Sequence, residues 1–207
     1  MNFTPADAHV LERILTWRRD VREFRPDPID EATIATLRSA MALAPSVGNS
    51  RPWRVIRVAD AALRAAVCAE FEACNTAAAA TYAGERATQY RQLILAGLAT
   101  APLQLAVFTA TDPEAGHRLG RLTMPETLMQ SSVMAIHTLW LAARARNLGL
   151  GMVSILDPAR IEALFATPPD WRFTAWLCIG HPVAEDDMPL LHRKGWQENT
   201  DAPWSVR

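Results

Sequence analysis

The chain has 207 residues, half of them hydrophobic and 21 % charged, a balance that suits one globular domain whose core needs neither disulfide nor structural metal. Its 21 Lys and Arg against 22 Asp and Glu leave a formal net charge of −1, so no overall field draws it to nucleic acid or to an anionic membrane. The three cysteines, Cys68, Cys74 and Cys178, form no CxxC pair, and no apolar run approaches the roughly 18 residues of a membrane span. Asp7, His9, Glu12 and Arg13 break up any apolar leader. Together these features predict a reduced, cytoplasmic setting with no membrane segment.

Taken in chain order, Val10, Leu11, Ile14, Leu15 and Trp17 recur at helical spacing and predict a first helix over about 5–19. Pro26 and Pro28 stop it. Asp30 is placed as the N-cap of a second helix carrying Ile34, Leu37 and Met41. Residues 44–52 read as a proline-bounded loop, Trp53 to Val58 as a strand, and 60–100 as helical with a break near Gly84. Leu103 to Thr109 predicts a second strand. A long helix follows from about 125 to 147, apolar nearly all round, so His137 within it is expected in the core. Gly149 is expected to end that helix in the left-handed C′ position. Met152 to Leu156 and Phe173 to Ile179 are the last strands, with a helix capped by Asp157 between them, and 182–207 is loop and tail. Helices cluster between widely spaced strands, which points to an α+β fold of one domain spanning 1–207.

Three features carry chemistry. Arg18-Arg19-Asp20-Val21-Arg22 puts three arginines in five positions, and paired guanidinium groups suit a phosphate dianion. Taken alone, the block also fits a solvated, arginine-rich helix end. Asp20 lies among these cations, which favours its ionised form. The loop Ala44-Pro45-Ser46-Val47-Gly48-Asn49-Ser50-Arg51-Pro52 offers a hydroxyl, an amide and open backbone, enough to line a flat heteroaromatic ring. Gly149-Leu150-Gly151-Met152-Val153-Ser154 lets a ligand approach the backbone closely. Its helix–glycine–strand order is the reverse of a dinucleotide fingerprint. No His or Cys pair has metal-ligand spacing, and neither Ser46 nor Ser154 sits in a GxSxG elbow. No metal site is expected.

In this order and at these separations the three features resemble the FMN-dependent nitroreductase superfamily over nearly the whole chain. Within it the chain is most similar to the flavin-fragmenting branch, on the strength of Asp20 inside the arginine block, Gly84-Glu85-Arg86 with Tyr90-Arg91, Leu139 to Arg144, Val153-Ser154-Ile155, Ala175 to Cys178 and Lys194-Gly195-Trp196. The resemblance implies a mostly antiparallel sheet flanked by helices, an entwined homodimer with its flavin sites at the interface, and a tail over 182–207 that wraps the partner. It implies FMN contacts at Arg18, Arg19, Asp20, Val21, Arg22, Val153, Ser154 and Lys194, with Pro45, Ser46, Asn49 and Arg51 reaching the flavin from the neighbouring subunit. It further implies that reduced FMN, delivered by a flavin reductase, reacts with O2 and is fragmented to dimethylbenzimidazole and erythrose 4-phosphate for the lower ligand of cobalamin. Asp20 would move the proton and Ser154 orient the reacting chain. The chain departs from that branch at Asn49-Ser50 and in segments 93–97 and 124–130. Two other activities stay open: an NAD(P)H-dependent nitroreductase, flavin or quinone reductase, and a non-catalytic flavin-binding protein.

Overall fold

Four strands, Trp53–Arg57 (β1), Leu103–Ala110 (β2), Gly149–Val153 (β3) and Trp171–Gly180 (β4), pair antiparallel in the order β1-β2-β4-β3. The computed structural model describes residues 1–93 and 96–207; Ile94 and Leu95, in the departing segment 93–97, lie outside the described residues. Strand β4 is central and buried on both sides because its side chains alternate between two apolar layers. Ala175, Leu177 and Ile179 face one layer, Trp176 and Cys178 the other. Helices α2 (Glu31–Met41) and α6 (Thr127–Arg144) cover the first face through Leu37, Met41, Ile136 and Leu139. Helices α3 (Ala61–Ala79) and α7 (Pro158–Leu164) cover the second through Val67 and Ile161. The fold is α+β, as the distribution of elements predicts.

The helix starts follow from their caps. Thr4 and Asp7 form a reciprocal capping box on α1 (Pro5–Trp17), and Asp30, Asp60 and Asp157 each accept main-chain N–H groups at the starts of α2, α3 and α7. Between the layers, buried Gln104 donates to the Leu98 carbonyl at 2.8 Å and accepts from Trp176 Nε1 at 3.1 Å, so neither buried polar side chain is left unpaired.

Several elements differ from expectation. Helix α1 stops at Trp17, and Arg18 is already extended at φ −79°, ψ 98°. The stretch 60–100 resolves into α3, α4 (Gly84–Arg91) and α5 (Gly97–Thr100), and the region after Pro182 adds a short helix α8 (Leu190–Arg193). His137 is exposed rather than in the core. Gly149 is not the C′ residue of α6. Asn147 takes the left-handed position at φ 58°, and the Leu148 N–H closes on the Ala143 carbonyl at 3.0 Å. Gly149 instead opens β3, which begins three residues earlier than expected and ends at Val153.

Two apolar surfaces are left uncovered in the single chain. Helix α1 has no buried residue and exposes Val10, Leu11, Leu15 and Trp17, while α6 exposes Val133 and Met134. Residues 182–197 fold back on their own chain: the Val183 N–H donates to the Glu23 carbonyl at 3.2 Å and Arg86 donates to the Trp196 carbonyl at 2.7 Å. Residues 200–207 are exposed throughout.

The glycines of β3 make room for the segment after α1. A Cβ on Gly151 would collide with the Val21 carbonyl oxygen, and one on Gly149 would lie 2.6 Å from Val21 Cγ2. Gly151→Ala should therefore lower unfolding free energy by about 3 kcal/mol in urea melts, since main chain cannot give way. Gly149→Ala should cost about 1–2 kcal/mol and be largely recovered by adding Val21→Ala, because its clash is with a side chain. Equal losses at the two glycines, with no rescue, would refute this division.

Candidate functional site

Residues 18–22 run extended along the outer edge of β3. The Val21 N–H donates to the Leu150 carbonyl at 3.1 Å, and Asp20 forms a parallel bridge with Leu150. In extended chain, side chains alternate, so Arg18, Asp20 and Arg22 share one side and Arg19 and Val21 the other. The block is thus not a helix end: Arg18 and Arg22 share a side through the period of two of extended chain.

Asp20 is held by two bonds. Its Oδ1 accepts the Met152 N–H at 3.1 Å and its Oδ2 accepts from Arg22 Nε at 3.2 Å. The side chain keeps 37 % of its surface, with both carboxyl oxygens turned onto these donors. The arginines were expected to stabilise its charge. Burial instead pushes the Asp20 pKa up from the ordinary 3.8, outweighing the Met152 N–H, Arg22 and the more distant Arg18, all of which pull it down.

The three arginines part company. The Arg18 guanidinium lies 4.9 Å from the centre of the Trp140 ring, and its Nε is buried with no acceptor among the described residues. Arg19 turns to the C-terminal segment, where Nε and Nη2 donate to the Asp187 carbonyl at 3.0 and 2.5 Å. Desolvation, then the neighbouring Arg18, lowers the Arg19 pKa. Val21 rests on Gly149 and the second core layer, and Val153 is buried in that layer. Ser154 is exposed one residue past β3 and shares a face with Met152. Lys194 is exposed at the end of α8.

The loop before β1 is a second, separate cluster. Ser46 Oγ accepts the Arg51 N–H at 3.0 Å, and the Val47 N–H donates to Ser131 Oγ at 3.0 Å. Gly48, Asn49 and Arg51 are left-handed at φ 55°, 54° and 45°, a concentration of strain that tertiary contacts must hold. Pro45 and Asn49 are exposed. This loop leads into β1, at the far edge of the sheet from β3. Three interstrand spacings, roughly 15 Å, separate the two edges, so a chain does not bring its own Ser46, Asn49 and Arg51 to its own Arg18 and Asp20.

Three contributors escaped the sequence. The Met152 N–H, the Trp140 ring and the Asp187 carbonyl set Asp20, Arg18 and Arg19 respectively. Only Trp140, inside the conspicuous Leu139–Arg144 stretch, left a signal there. A buried guanidinium nitrogen without an acceptor among the described residues, beside the cationic Arg19, is the arrangement an anionic phosphate group satisfies.

Between the ordinary value of 3.8 and the raised one, folded Asp20 keeps a proton that the unfolded chain has released, so stability falls as pH rises through that window. Asp20→Asn removes this titration. The melting temperature of the unliganded variant, relative to wild type, should rise as the pH climbs above the ordinary aspartate value and level off once folded Asp20 has ionised. A pH-independent difference between the two proteins would show that Asp20 titrates as an ordinary aspartate.

Comparison with known proteins places this geometry. The crystal structure of oxidized iodotyrosine deiodinase bound to FMN and 3-iodo-L-tyrosine matches with a TM-score of 0.73 at 21 % identity, covering 95 % of this chain and 97 % of that one. A nitroreductase family protein from Clostridium difficile 630 matches with a TM-score of 0.61 at 17 % identity, covering 94 % and 92 %. These likenesses show the fold. In sequence, the chain is 63 % identical over 207 residues to the 5,6-dimethylbenzimidazole synthase of Rhodobacter capsulatus, covering all of both chains. It is 53 % identical to the enzyme of the same name from Rhodospirillum rubrum, covering 97 % of this chain and 95 % of that one. The model of the Nitroreductase family matches residues 15–181, a span that holds the whole sheet, the arginine block and the loop before β1. The chain belongs to the nitroreductase family.

Proposed function

We propose that this chain is a 5,6-dimethylbenzimidazole synthase, converting reduced FMN and O2 to dimethylbenzimidazole and erythrose 4-phosphate in the making of the cobalamin lower ligand. The observation that carries this reading is the 63 % identity, end to end, with the Rhodobacter capsulatus synthase. The electrons for O2 and the carbons of the product both come from the flavin, which is consumed rather than recycled. A flavin reductase supplies it in reduced form, and the setting is the cytoplasm. Among the described residues no helix is long and apolar enough to cross a membrane.

The family likeness, together with the geometry, supports the following roles for this chain's residues. Arg18, Arg19 and Arg22, with Lys194, hold the phosphate end. Asp20 accepts the proton released when the ribityl chain is cut. Its bonds to Met152 and Arg22 fix the carboxyl plane and leave each oxygen a free lone pair. A raised carboxyl pKa also makes its ionised form the stronger base. Ser154, beside Met152 at the end of β3, orients the ribityl chain.

The other half of the site is supplied by a second copy. Pro45, Ser46, Asn49 and Arg51 lie at the wrong edge of the sheet to serve their own chain, and the uncovered faces of α1 and α6 are apolar surfaces for a partner to bury. Residues 200–207, exposed and carrying Trp204, extend the tail towards that partner.

Incubating the protein with chemically reduced FMN in air should yield dimethylbenzimidazole by chromatography, and Asp20→Asn should slow its formation roughly 10²–10⁴-fold while FMN still binds. Rapid NADPH oxidation with the flavin left intact would overturn the assignment in favour of a reductase; intact flavin with neither activity would leave a binding protein. Co-expressing Asp20→Asn with Arg51→Glu should restore about a quarter of wild-type activity, because random pairing gives half mixed dimers, each with one intact site of two. Activity no higher than that of either variant alone would place both residues in one subunit's site.

A further inference from the structure

Three of the distinctive sequence blocks have, apart from Lys194, no role in the site so far: Gly84-Glu85-Arg86, Tyr90-Arg91 and Lys194-Gly195-Trp196. The fold brings them together. Arg86 Nη1 donates to the Trp196 carbonyl at 2.7 Å, and its guanidinium lies 5.1 Å from the centre of the Trp196 ring. Tyr82 stacks on Tyr90 at 4.9 Å, and Trp196 meets Tyr82 edge-on at 5.4 Å. The Tyr90 hydroxyl donates to Asn75 Oδ1 at 2.7 Å, tying the cluster to α3. Such contacts combine aromatic burial with a cation–π pair and a charge-assisted hydrogen bond.

From Trp196 the chain leads straight back to the arginine block. The Trp196 N–H donates to the Leu191 carbonyl at 2.9 Å, around Gly195 at φ 66°. Arg193, at the end of α8, donates to Asp186 Oδ1 at 2.6 Å. The next residue, Asp187, offers its carbonyl to Arg19. Residues 186–196 therefore form a strap clipped at one end by Arg19 and at the other by Arg86 and the aromatic cluster, with Lys194 between the clips. Helix α8 has no buried residue, and four residues do not sustain a helix unaided. Its position rests on the clips.

We infer that Arg86 and Trp196 are positioning residues for the phosphate side of the flavin site, acting through the strap to hold Arg19 and Lys194 ready for the ligand. The inference rests on the flavin reading above. A guanidinium and an ammonium group ordered in advance lose less freedom on binding a phosphate, so preorganisation strengthens the phosphate contacts and leaves those to the ring unchanged. A clasp that merely seals the C-terminus would weaken every ligand alike.

The test compares oxidised FMN with riboflavin, which lacks the phosphate, by quenching of flavin fluorescence on the purified protein. Wild type should prefer FMN. In Arg86→Ala and Trp196→Ala that preference should fall about tenfold with riboflavin affinity within about twofold of wild type, and Arg86→Lys and Trp196→Phe should retain most of it. Should Trp196→Ala fail to fold, the exposed Arg86 carries the test alone. An unchanged preference in folded Arg86→Ala, or equal weakening of both ligands, overturns the positioning role and leaves the flavin site standing. A wild-type protein that does not prefer FMN to riboflavin overturns both.

Discussion

The site depends on one crossing: the chain leaving α1 lies flush against the edge of β3 because β3 presents glycine at positions 149 and 151. With no Cβ in the way, the Val21 N–H reaches the Leu150 carbonyl and the Asp20 carboxyl reaches the Met152 N–H. A carboxylate accepting a main-chain N–H contributes about 1.5–3 kcal/mol, and burial of the same carboxyl opposes it. The arginines are then placed by where this extended segment points them: Arg18 onto Trp140, Arg22 onto Asp20, Arg19 across to Asp187. The placement of the three arginines is thus an outcome of main-chain packing at a sheet edge as much as of charge.

Much of the frame was legible in the sequence. The runs over 103–109 and 173–179 match β2 and β4 to within a few residues, and Asp30 and Asp157 cap helices as their positions predict. The arginine block stood out by charge density, but its backbone did not. The apolar spacing of Val10 to Trp17 runs on smoothly into Arg18 and Arg19, and only pairing with Leu150, far along the chain, makes the segment extended. Gly149 was assigned by the usual preference of glycine for a helix C′ position, when the steric demand came from Val21 and Asn147 filled that position. Counting charges placed Asp20 among cations; it could not count the solvent lost from its carboxyl. His137 sits in an apolar run yet faces outward, since the run wraps the full circumference of α6 and only one side meets the sheet.

The two clusters picked out by sequence lie on opposite edges of one sheet. Their separation gives the uncovered helices a meaning. An amphipathic helix such as α1, with none of its residues buried, is a marginal structure in water on its own. The strained backbone at Gly48, Asn49 and Arg51 belongs to the same picture, since left-handed residues other than glycine persist only where surroundings hold them. Ser131 of α6 provides one such hold through Val47.

The bond between Asp20 and Met152 joins residues 132 apart along the chain. Contacts of that separation are reached late, because the entropy of closing so large a loop must be met before any bond rewards it. The β3–β4 pairing has no such delay, so the sheet edge exists before the arginine block can dock on it. During synthesis the N-terminal segment leaves the ribosome first and must wait for almost three quarters of the chain before it can find its place. The arginine block can therefore dock only on a sheet edge that the rest of the chain has already built.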